Sequence, residues 1–515
     1  MTAAALPAVE DHQDRSDRSA STAGLGRSSV VLAASGLLLC AVYAIATARV
    51  PLARYFPEAG ITVDFVKMLG PGWERPTVEY VDVVLITFAL YLVALAAVWR
   101  TRAHIPRWLL FGMPAAFALI LLSMYPPTAV DMFHYQASSR VLWVHGENPL
   151  TVPPGDFPYP IGYSWAGQPA PYGPLWPVIA GPAVLLTGDH YLAGLYAFKL
   201  IAAASYLGCT VMIWRLVART RPGQETLAVV LFAWNPFVVL RVVGNGHNDL
   251  VMMFFLLLAF ELALRRHWNY AFLAFACSAL VKYVSLLLGP PLLIYLLFHA
   301  TGTPRQRVAT AIEALAIAAI VVIVVFAPLW EGLATFDTVR GEADKVITST
   351  PLLIGLLISG APEDPATVEA VRGVLRVLFV GLYLLLAWQA RRSFDHLVVA
   401  SFTILFLHLL VPTGWFRPWY MLWPVTLAAL RPRSWLAAVL LAITFACCFP
   451  DLIEQYRNNW SFLADYTKAI AAPIVVAFVP PALVWLAGAA WARSWTLGTV
   501  GPGREHADAL ARSTH

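Results

Sequence analysis

Long apolar segments separated by short polar ones make up most of this 515-residue chain. A helix needs roughly 20 apolar residues to cross a bilayer, and short loops rich in lysine and arginine stay in the cytoplasm. Applied in order, these rules predict an all-α polytopic membrane protein of about fourteen spans with both ends inside. Besides two short segments flanking Lys282, the predicted spans are residues 30–48, 81–98, 109–124, 191–214, 227–243, 250–264, 308–326, 374–388, 397–410, 420–430, 435–448 and 470–491.

One apolar segment, residues 175–186, is too short to cross and contains Pro177 and Pro182. A crossing there would also reverse the side of every later loop. We therefore predict an interfacial or re-entrant helix on the outer face, where irregular backbone is tolerated if it lines a cavity. Whether this segment and residues 351–360 re-enter the membrane stays open.

Composition agrees with this pattern, since 59% of the residues are hydrophobic, 13% are charged and the mean hydropathy is +0.68. A soluble domain has about a quarter of its residues charged. The pI near 8.9 comes from basic residues in short loops, which set orientation and do not indicate nucleic-acid binding. The five cysteines lie in apolar segments without metal-ligand spacing, so we predict no disulfide framework, metal site or cofactor.

Three regions follow from the distribution of charge. Residues 1–27 are polar and predict a disordered cytoplasmic terminus, residues 28–492 form the membrane domain, and residues 493–515 are a basic cytoplasmic tail. The predicted topology puts the polar loops at 125–176, 245–249 and 414–420 on the outer side, whereas cytoplasmic loops hold little beyond arginine. Any chemistry is therefore expected on the periplasmic or extracellular face of the cell membrane.

Asp131 is the candidate general base, because a carboxylate in the long outer loop 125–176 can accept the proton of an attacking hydroxyl. Its aromatic neighbours are suited to sugar rings, and we include His134 and Tyr135 among the substrate-binding candidates. The alternative is structural: Asp131 can serve as the N-cap of a short helix over residues 132–144. Both descriptions can hold together.

Two further runs in this loop are explained by local structure. Gly146 looks like the C-cap of the same short helix, and Pro149 prevents its continuation. Residues 170–174, with the sequence APYGP, form a turn signature in which Tyr172 alone has an obvious use in ligand binding.

Other polar residues in apolar surroundings are candidates for binding sugar or phosphate, since ionisable residues near the membrane are functional candidates by default. Lysine and arginine can hold a lipid phosphate, although snorkelling and aromatic-belt anchoring are the structural alternatives. For His247, Asn248 and Asp249 the structural alternative is a simple capped turn, and a metal site there is only weakly indicated. The donor-phosphate candidates are Lys282, Arg417 and Arg241, and the remaining substrate-binding candidates are Trp419 and Tyr420.

Taken together, the motifs resemble a known family. Asp131-x-x-x-Tyr135 is followed in order by the runs at 146–149, 170–174, 235–236, 246–249, 281–282 and 418–420. Over residues 109–430 the chain is similar to the GT-C polyprenol-phosphate-mannose-dependent mannosyltransferases of lipomannan and phosphatidylinositol-mannoside synthesis. The sequence Met-Phe-His between Asp131 and Tyr135 departs from the family pattern, where small polar residues are usual, and leaves the acceptor and the sugar undetermined.

The resemblance implies a GT-C-like fold and an inverting transfer of a sugar, most often mannose, from a polyprenyl phosphate donor to a glycolipid or glycan acceptor. It maps the family's loop aspartate onto Asp131 and requires no nucleotide sugar. Two alternatives remain: a flippase or transporter for a lipid-linked saccharide, and a non-catalytic polyprenyl-binding scaffold. A transporter would favour charges near mid-bilayer and an internal repeat, and the sequence contains no convincing repeat.

Overall fold

The computed structural model describes residues 26–55, 74–99, 105–160, 165–360, 364–456, 460–463 and 465–498. Within these ranges the regular structure is helical. The α-helices are Arg27–Arg49, Leu52–Tyr55, Glu74–Trp99, Arg107–Leu121, Asp131–Trp143, Leu175–Thr187, Tyr191–Thr220, Glu225–Ala233, Pro236–Val239, Asp249–Leu264, Trp268–Val281, Gly289–His299, Pro304–Phe326, Asp337–Asp344, Thr350–Ser359, Pro365–Gln389, Phe394–Leu410, Leu422–Ala428, Trp435–Ala446, Pro450–Tyr456 and Tyr466–Gly498.

The described residues contain seven helices long and apolar enough to span a membrane, or eight if one bent pair counts as a span. The chain is therefore a polytopic membrane protein, as predicted. The predicted number of spans is larger than the number of long helices, because several predicted spans correspond to apolar helices of only 10–17 residues. The long helices are Arg27–Arg49, Val78–Trp99, Tyr191–Thr220, Pro304–Leu329, Pro365–Gln389, Trp435–Glu454 and Tyr466–Ala490.

The bent pair shows how sequence interrupts a span. Helix Glu225–Ala233 and segment Pro236–Gly244 meet at an angle of 54°. Proline disfavours helical backbone in the residue before it, and Asn235 is extended, with its side chain accepting a hydrogen bond of 3.0 Å from the Phe237 N–H. The second segment ends in a π-helical turn, Leu240–Gly244. This bend directs the following residues, 245–248, into the protein interior.

A second interruption occurs at Lys282, as the sequence predicted. Helix Trp268–Val281 ends there, Lys282 is extended, and a 3-10 turn over Tyr283–Leu288 leads into helix Gly289–His299. The change of direction places one lysine side chain at a break between two apolar helices.

Helix Leu175–Thr187 has 13 residues and contains Pro182. At 1.5 Å per residue it is about 20 Å long, shorter than the roughly 30 Å bilayer core. Its length agrees with the prediction of a non-crossing helix, and its re-entrant position stays a prediction.

Burial separates inner helices from outer ones. In helix Tyr191–Thr220, 56% of the apolar 18-residue stretch is buried inside the protein, and this helix packs against Asp249–Leu264. The corresponding share is 11% in Pro304–Leu329 and 17% in Pro365–Gln389. Apolar helices with so little burial are suited to contact with lipid.

Two predicted regions fall largely outside the described residues. The N-terminal segment 1–27 overlaps them only at residues 26 and 27, and the tail 493–515 only at 493–498. Helix Tyr466–Gly498 therefore continues past the predicted domain boundary at residue 492.

Candidate active site

A cavity of about 940 Å³ collects most of the polar residues singled out in the sequence, and we call it the large cavity. Its lining combines charged, aromatic and apolar side chains from segments far apart in the chain. Among the site candidates, the lining residues are Asp131, His134, Tyr172, Lys282, Arg417, Trp419 and Tyr420. The other candidates, Tyr135, Arg241, His247, Asn248 and Asp249, lie outside that lining.

Asp131 is the first residue of helix Asp131–Trp143, and Val130 occupies the N-cap position without a side-chain cap. The expectation that Asp131 caps this helix is therefore wrong. Because Pro126 and Pro127 separate this helix from the preceding one, the chain turns before Asp131 and presents its side chain to the large cavity. Gly146 after the helix has a φ of +72°, the left-handed conformation expected near a helix C-terminus.

The Asp131 carboxylate has few partners. Tyr172 donates a hydrogen bond of 3.4 Å from its hydroxyl to Oδ1, and in the described part of the chain Asp131 makes no ion pair. Burial raises the pKa of the Asp131 carboxyl to about 6, although the charges of Lys282 and Arg417 act in the opposite direction. A carboxyl with this pKa is ionised at neutral pH and can still accept a proton effectively.

Lys282 provides a cation in the same cavity. Its Nζ donates to Asp249 Oδ1 at 2.8 Å and lies 5.5 Å from the ring centroid of Tyr172 and 5.9 Å from that of Tyr420. Trp423 Nε1 donates to the same Asp249 oxygen at 2.6 Å. The Asp249 carboxylate thus orients the lysine and balances its charge, while the ammonium keeps further donors for a ligand.

Gly173 explains how Tyr172 lies beside both the Asp131 carboxylate and the Lys282 ammonium. Its N–H donates to the Val281 carbonyl at 3.1 Å, and a Cβ at this position would come within 2.0 Å of the Leu280 carbonyl oxygen. Only glycine permits this approach. The turn at 170–174 is therefore fixed against the chain immediately before Lys282.

The residues around His247 form a layer behind the cavity wall. His247 stacks on Trp419 with ring centroids 4.4 Å apart, and the Tyr135 hydroxyl donates to Asn248 Oδ1 at 3.2 Å. The side chains of His247, Asn248 and Asp249 are buried. Burial, with Lys282 and Arg241 nearby, lowers the pKa of His247. This placement supports the wall rather than direct contact with a ligand in the large cavity.

The two predicted arginines differ in availability. Arg417 lines the large cavity, pairs with Glu454 at 3.1 Å and lies 5.2 Å from the Trp415 ring centroid. Arg241 is buried, pairs with Asp451 at 2.5 Å and donates to the Cys447 carbonyl at 3.0 Å. Because Arg241 is outside the cavity lining and held by protein groups, it is poorly placed for a donor phosphate.

Among the described residues, no group of three or more His, Cys, Asp or Glu side chains is arranged to hold a metal ion.

Comparison with known proteins identifies the family. A model for "Alpha-(1->6)-mannopyranosyltransferase, N-terminal domain" matches residues 30–298, more than half of the chain. The chain belongs to this mannosyltransferase family. The resemblance to GT-C mannosyltransferases of lipomannan synthesis predicted this membership, which is now confirmed.

Named relatives of the mannosyltransferase family show the same similarity. Alpha-(1->6)-mannopyranosyltransferase B of Corynebacterium glutamicum is 26% identical over 359 residues, covering 62% of this chain and 58% of the relative. Alpha-(1->6)-mannopyranosyltransferase A of the same organism is 22% identical over 370 residues, covering 64% and 74%. A Mycobacterium tuberculosis relative is 31% identical over 157 residues, covering 28% and 26%. The matches with the first and third therefore span less than two thirds of those relatives.

The mannosyltransferase family match contains Asp131, Tyr172 and Lys282, whereas Arg417 lies beyond its end. Folding brings both parts of the chain to the large cavity. Family membership thus bears on the acid and the lysine more directly than on the arginine.

Sequence reasoning missed Lys199, which lies within a predicted span. Its buried ammonium donates to the carbonyls of Leu121 at 3.0 Å and Gly244 at 2.8 Å, and also to that of Met124. The carbonyls of Leu121 and Met124 precede the Asp131 helix, and that of Gly244 precedes the layer around His247. A lysine inside an apolar segment is itself a functional signal that could have identified it.

Two arginines of the cavity wall were also missed. Arg372 and Arg376 lie one helical turn apart on Pro365–Gln389. Their sequence context reads as the polar end of a membrane span, so only the fold reveals that they face the large cavity.

Proposed function

We propose that this chain is an inverting glycosyltransferase that moves mannose from a polyprenyl phosphate donor to a glycolipid or glycan acceptor, with Asp131 as the general base. The observation that carries this proposal is the placement of Asp131, Lys282 and Arg417 around one large cavity. The names of the relatives support mannose and an α-(1→6) linkage. The GT-C-like fold of about fourteen spans stays part of the proposal.

The reaction is a single displacement at the anomeric carbon. The acceptor hydroxyl gives its proton to the Asp131 carboxylate as its oxygen bonds to that carbon. The bond between the anomeric carbon and the phosphate oxygen breaks, its electron pair stays on the phosphate, and polyprenyl phosphate leaves. Attack opposite the leaving group inverts the anomeric configuration.

Lys282 and Arg417 stabilise the negative charge that develops on the departing phosphate. The Lys282 ammonium is oriented by Asp249, and the Arg417 guanidinium is held by Glu454 and the Trp415 ring. Arginine can bind phosphate oxygens through two parallel hydrogen bonds. We assign Arg241 a structural role, because Asp451 already occupies its guanidinium.

Aromatic side chains position the sugar beside the base. Tyr172, Trp419 and Tyr420 line the large cavity near the two cations, and His134 lies one turn after Asp131. The buried residues Tyr135, His247 and Asn248 hold this wall in place from behind.

We place the active site on the periplasmic or extracellular face. Helix Asp249–Leu264 begins beside the large cavity and ends at an arginine cluster, in which Glu261 pairs with Arg265 at 2.6 Å, Arg215 at 3.5 Å and Arg219 at 3.7 Å. Sixteen helical residues separate these ends by about 24 Å. Arginine-rich helix ends favour the cytoplasm, which puts the cavity at the opposite face.

The test is transfer by purified full-length protein reconstituted in vesicles with polyprenyl phosphate mannose and a mannoside acceptor. We expect Asp131→Asn to lower the transfer rate by about 10²–10⁴-fold, because the base is lost. Glu342→Gln is the matched control, since Glu342 also lines the cavity but is ion-paired with Lys345. Transfer by Asp131→Asn at the wild-type rate would exclude this mechanism.

The same experiment addresses the flippase alternative. Transfer releases free polyprenyl phosphate and forms a new mannoside, both measurable by mass spectrometry. A change in the sidedness of the intact donor lipid, without either product, would instead support a flippase.

A further inference from the structure

We propose that Arg376 and Arg372 form a second phosphate-binding subsite of the large cavity, which takes the phosphate of a membrane lipid. The subsite is separate from the Lys282 and Arg417 cations used in transfer. The subsite proposal rests on the proposed function only in that both proposals place a lipid in the large cavity.

One face of helix Pro365–Gln389 carries the subsite. Arg372, Arg376, Phe379 and Val380 all line the large cavity, and their spacing of three or four residues puts them on the same side of the helix. The face is cationic over one turn and apolar over the next. This order matches a lipid with a phosphate head and a hydrocarbon chain.

The segment opposite this helix completes an apolar channel. Val284 and Leu287 line the cavity from the 3-10 turn Tyr283–Leu288. The Tyr383 hydroxyl donates to the Leu287 carbonyl at 3.0 Å, which joins this turn to the arginine-bearing helix. A hydrocarbon chain alongside Phe379 and Val380 would therefore contact a wall that is held in position.

The ratio of cations to acids at this subsite differs from the ratio around Lys282 and Arg417. Lys282 pairs with Asp249, and Arg417 pairs with Glu454. Arg372 and Arg376 instead share one acid, Glu369, at 3.4 and 3.3 Å. Two guanidinium groups against one carboxylate leave a local excess of positive charge beside the cavity.

The two arginines differ in exposure and in the number of protein groups that hold them. The Arg372 side chain is 4% exposed and is fixed by hydrogen bonds to the backbone carbonyls of Ala343 and Asp344. The Arg376 side chain is 46% exposed and pairs with Glu369. Arg376 is therefore the residue that contacts the phosphate, while Arg372 adds positive potential next to it.

The location of these residues favours a lipid over a soluble anion. Helix Pro365–Gln389 is a candidate span whose apolar side chains Val377, Leu378 and Leu384 are exposed. A charged group on such a helix is costly unless it reaches the interface or meets an opposite charge. A lipid phosphate supplies that charge at the depth where the apolar channel begins.

The experiment measures binding of dodecyl phosphate to the purified full-length protein in nanodiscs of neutral lipid. We expect Arg376→Gln to weaken binding about tenfold, the usual effect of losing a hydrogen bond to a charged group. Arg376→Lys should retain part of the affinity because it retains the charge. The matched control is Arg340→Gln, since Arg340 makes an exposed ion pair with Asp337 at 3.3 Å but does not line the cavity.

Unchanged binding by Arg376→Gln, or an equal loss in Arg340→Gln, would overturn the proposal. Inorganic phosphate that competes as strongly as dodecyl phosphate would overturn its lipid part. Competition by polyprenyl phosphate alone would identify the donor lipid as the source, and equal competition by phosphatidylglycerol vesicles would identify bulk anionic lipid; either result supports a lipid phosphate.

A double substitution tests whether the subsite is separate. Independent subsites predict that Lys282→Gln and Arg376→Gln reduce total phosphate binding additively, whereas a single shared phosphate predicts strongly non-additive losses and contradicts a second subsite. The Asp131→Asn variant should show the same dependence on Arg376. Failure of sugar transfer and failure of this subsite are therefore distinguishable.

Discussion

Asp131 and Asp249 occupy the same local position in two different walls of the site. Each is the first residue of an α-helix, at a point where the chain leaves an irregular segment. Asp249 is buried and accepts hydrogen bonds from Lys282 and Trp423. Asp131 faces the cavity and accepts one from the Tyr172 hydroxyl. Partners, rather than position in the helix, separate a carboxylate that orients a cation from one suited to proton transfer.

This difference predicts opposite effects on stability, and here we expect the largest change. Asp249→Asn leaves Lys282 without its carboxylate, and breaking a buried ion pair costs about 3–5 kcal/mol. We expect the free energy of unfolding to fall by about that amount, because the Asp249 side chain is 0% and the Lys282 side chain 10% exposed. Denaturant titration of the detergent-solubilised protein measures it.

Asp131→Asn is the matched control in that titration. It removes a desolvated carboxylate that has no ion pair in the described structure, so the unfolding free energy should remain unchanged or increase. Equal destabilisation by the two substitutions would mean that both aspartates have structural roles.

Lys199 connects the two walls, and its substitution should have the next largest effect. Its ammonium joins the carbonyls of Leu121 and Met124, before the Asp131 helix, to that of Gly244, before the Asp249 helix. Lys199→Met should lower kcat by roughly 10–100-fold with little change in donor KM, because the reacting groups are displaced relative to one another. Steady-state kinetics over a range of donor concentrations separates the two constants.

The control for Lys199 is a buried donor on the same helix. Ser205 donates to the Ala202 carbonyl within that helix and joins no second segment, so Ser205→Ala should leave kcat unchanged. Lys199→Arg should recover part of the kcat if the positive donor positions the walls. A fall in the amount of folded protein at unchanged kcat would show that Lys199 serves stability alone.

The sequence was sufficient to predict the membrane class, the family and several residues of the cavity wall. Asp131 and Lys282 were recognisable because ionisable groups are rare between apolar segments. Tyr172 was recognisable because its neighbours form a turn signature. Each of these signals is local, and each residue lies within a short polar interruption of the chain.

The parts that escaped prediction depend on contacts between distant segments. Arg241 looked like Arg417 in sequence, and only the fold pairs it with Asp451, 210 positions later. Arg376 resembled an ordinary residue at the end of a span. The described residues contain fewer long helices than the predicted number of spans, because breaks such as Asn235-Pro236 divide apolar sequence into shorter helices. Hydropathy does not reveal these breaks or pairings.

The smallest expected effect is on the pH dependence of transfer. A carboxylate can act as a base only when ionised, and the pKa of Asp131, the proposed base, is about 6. We therefore expect kcat/KM to rise about tenfold per pH unit below 6 and to level off above it. Burial lowers the pKa of His134, which also lines the cavity, to about 4, so the titration of His134 is separate from the midpoint near pH 6.

Arg417→Gln provides the decisive variant for the pH profile. The Arg417 charge lowers the pKa of Asp131, so removing it should raise that pKa and move the rising limb to higher pH. Arg340→Gln, outside the cavity lining, should leave the limb in place. A limb that stays near pH 6 in Arg417→Gln would mean that the titrating group is not the carboxylate beside this arginine, and the contrast between Asp131 and Asp249 would then lose its catalytic meaning.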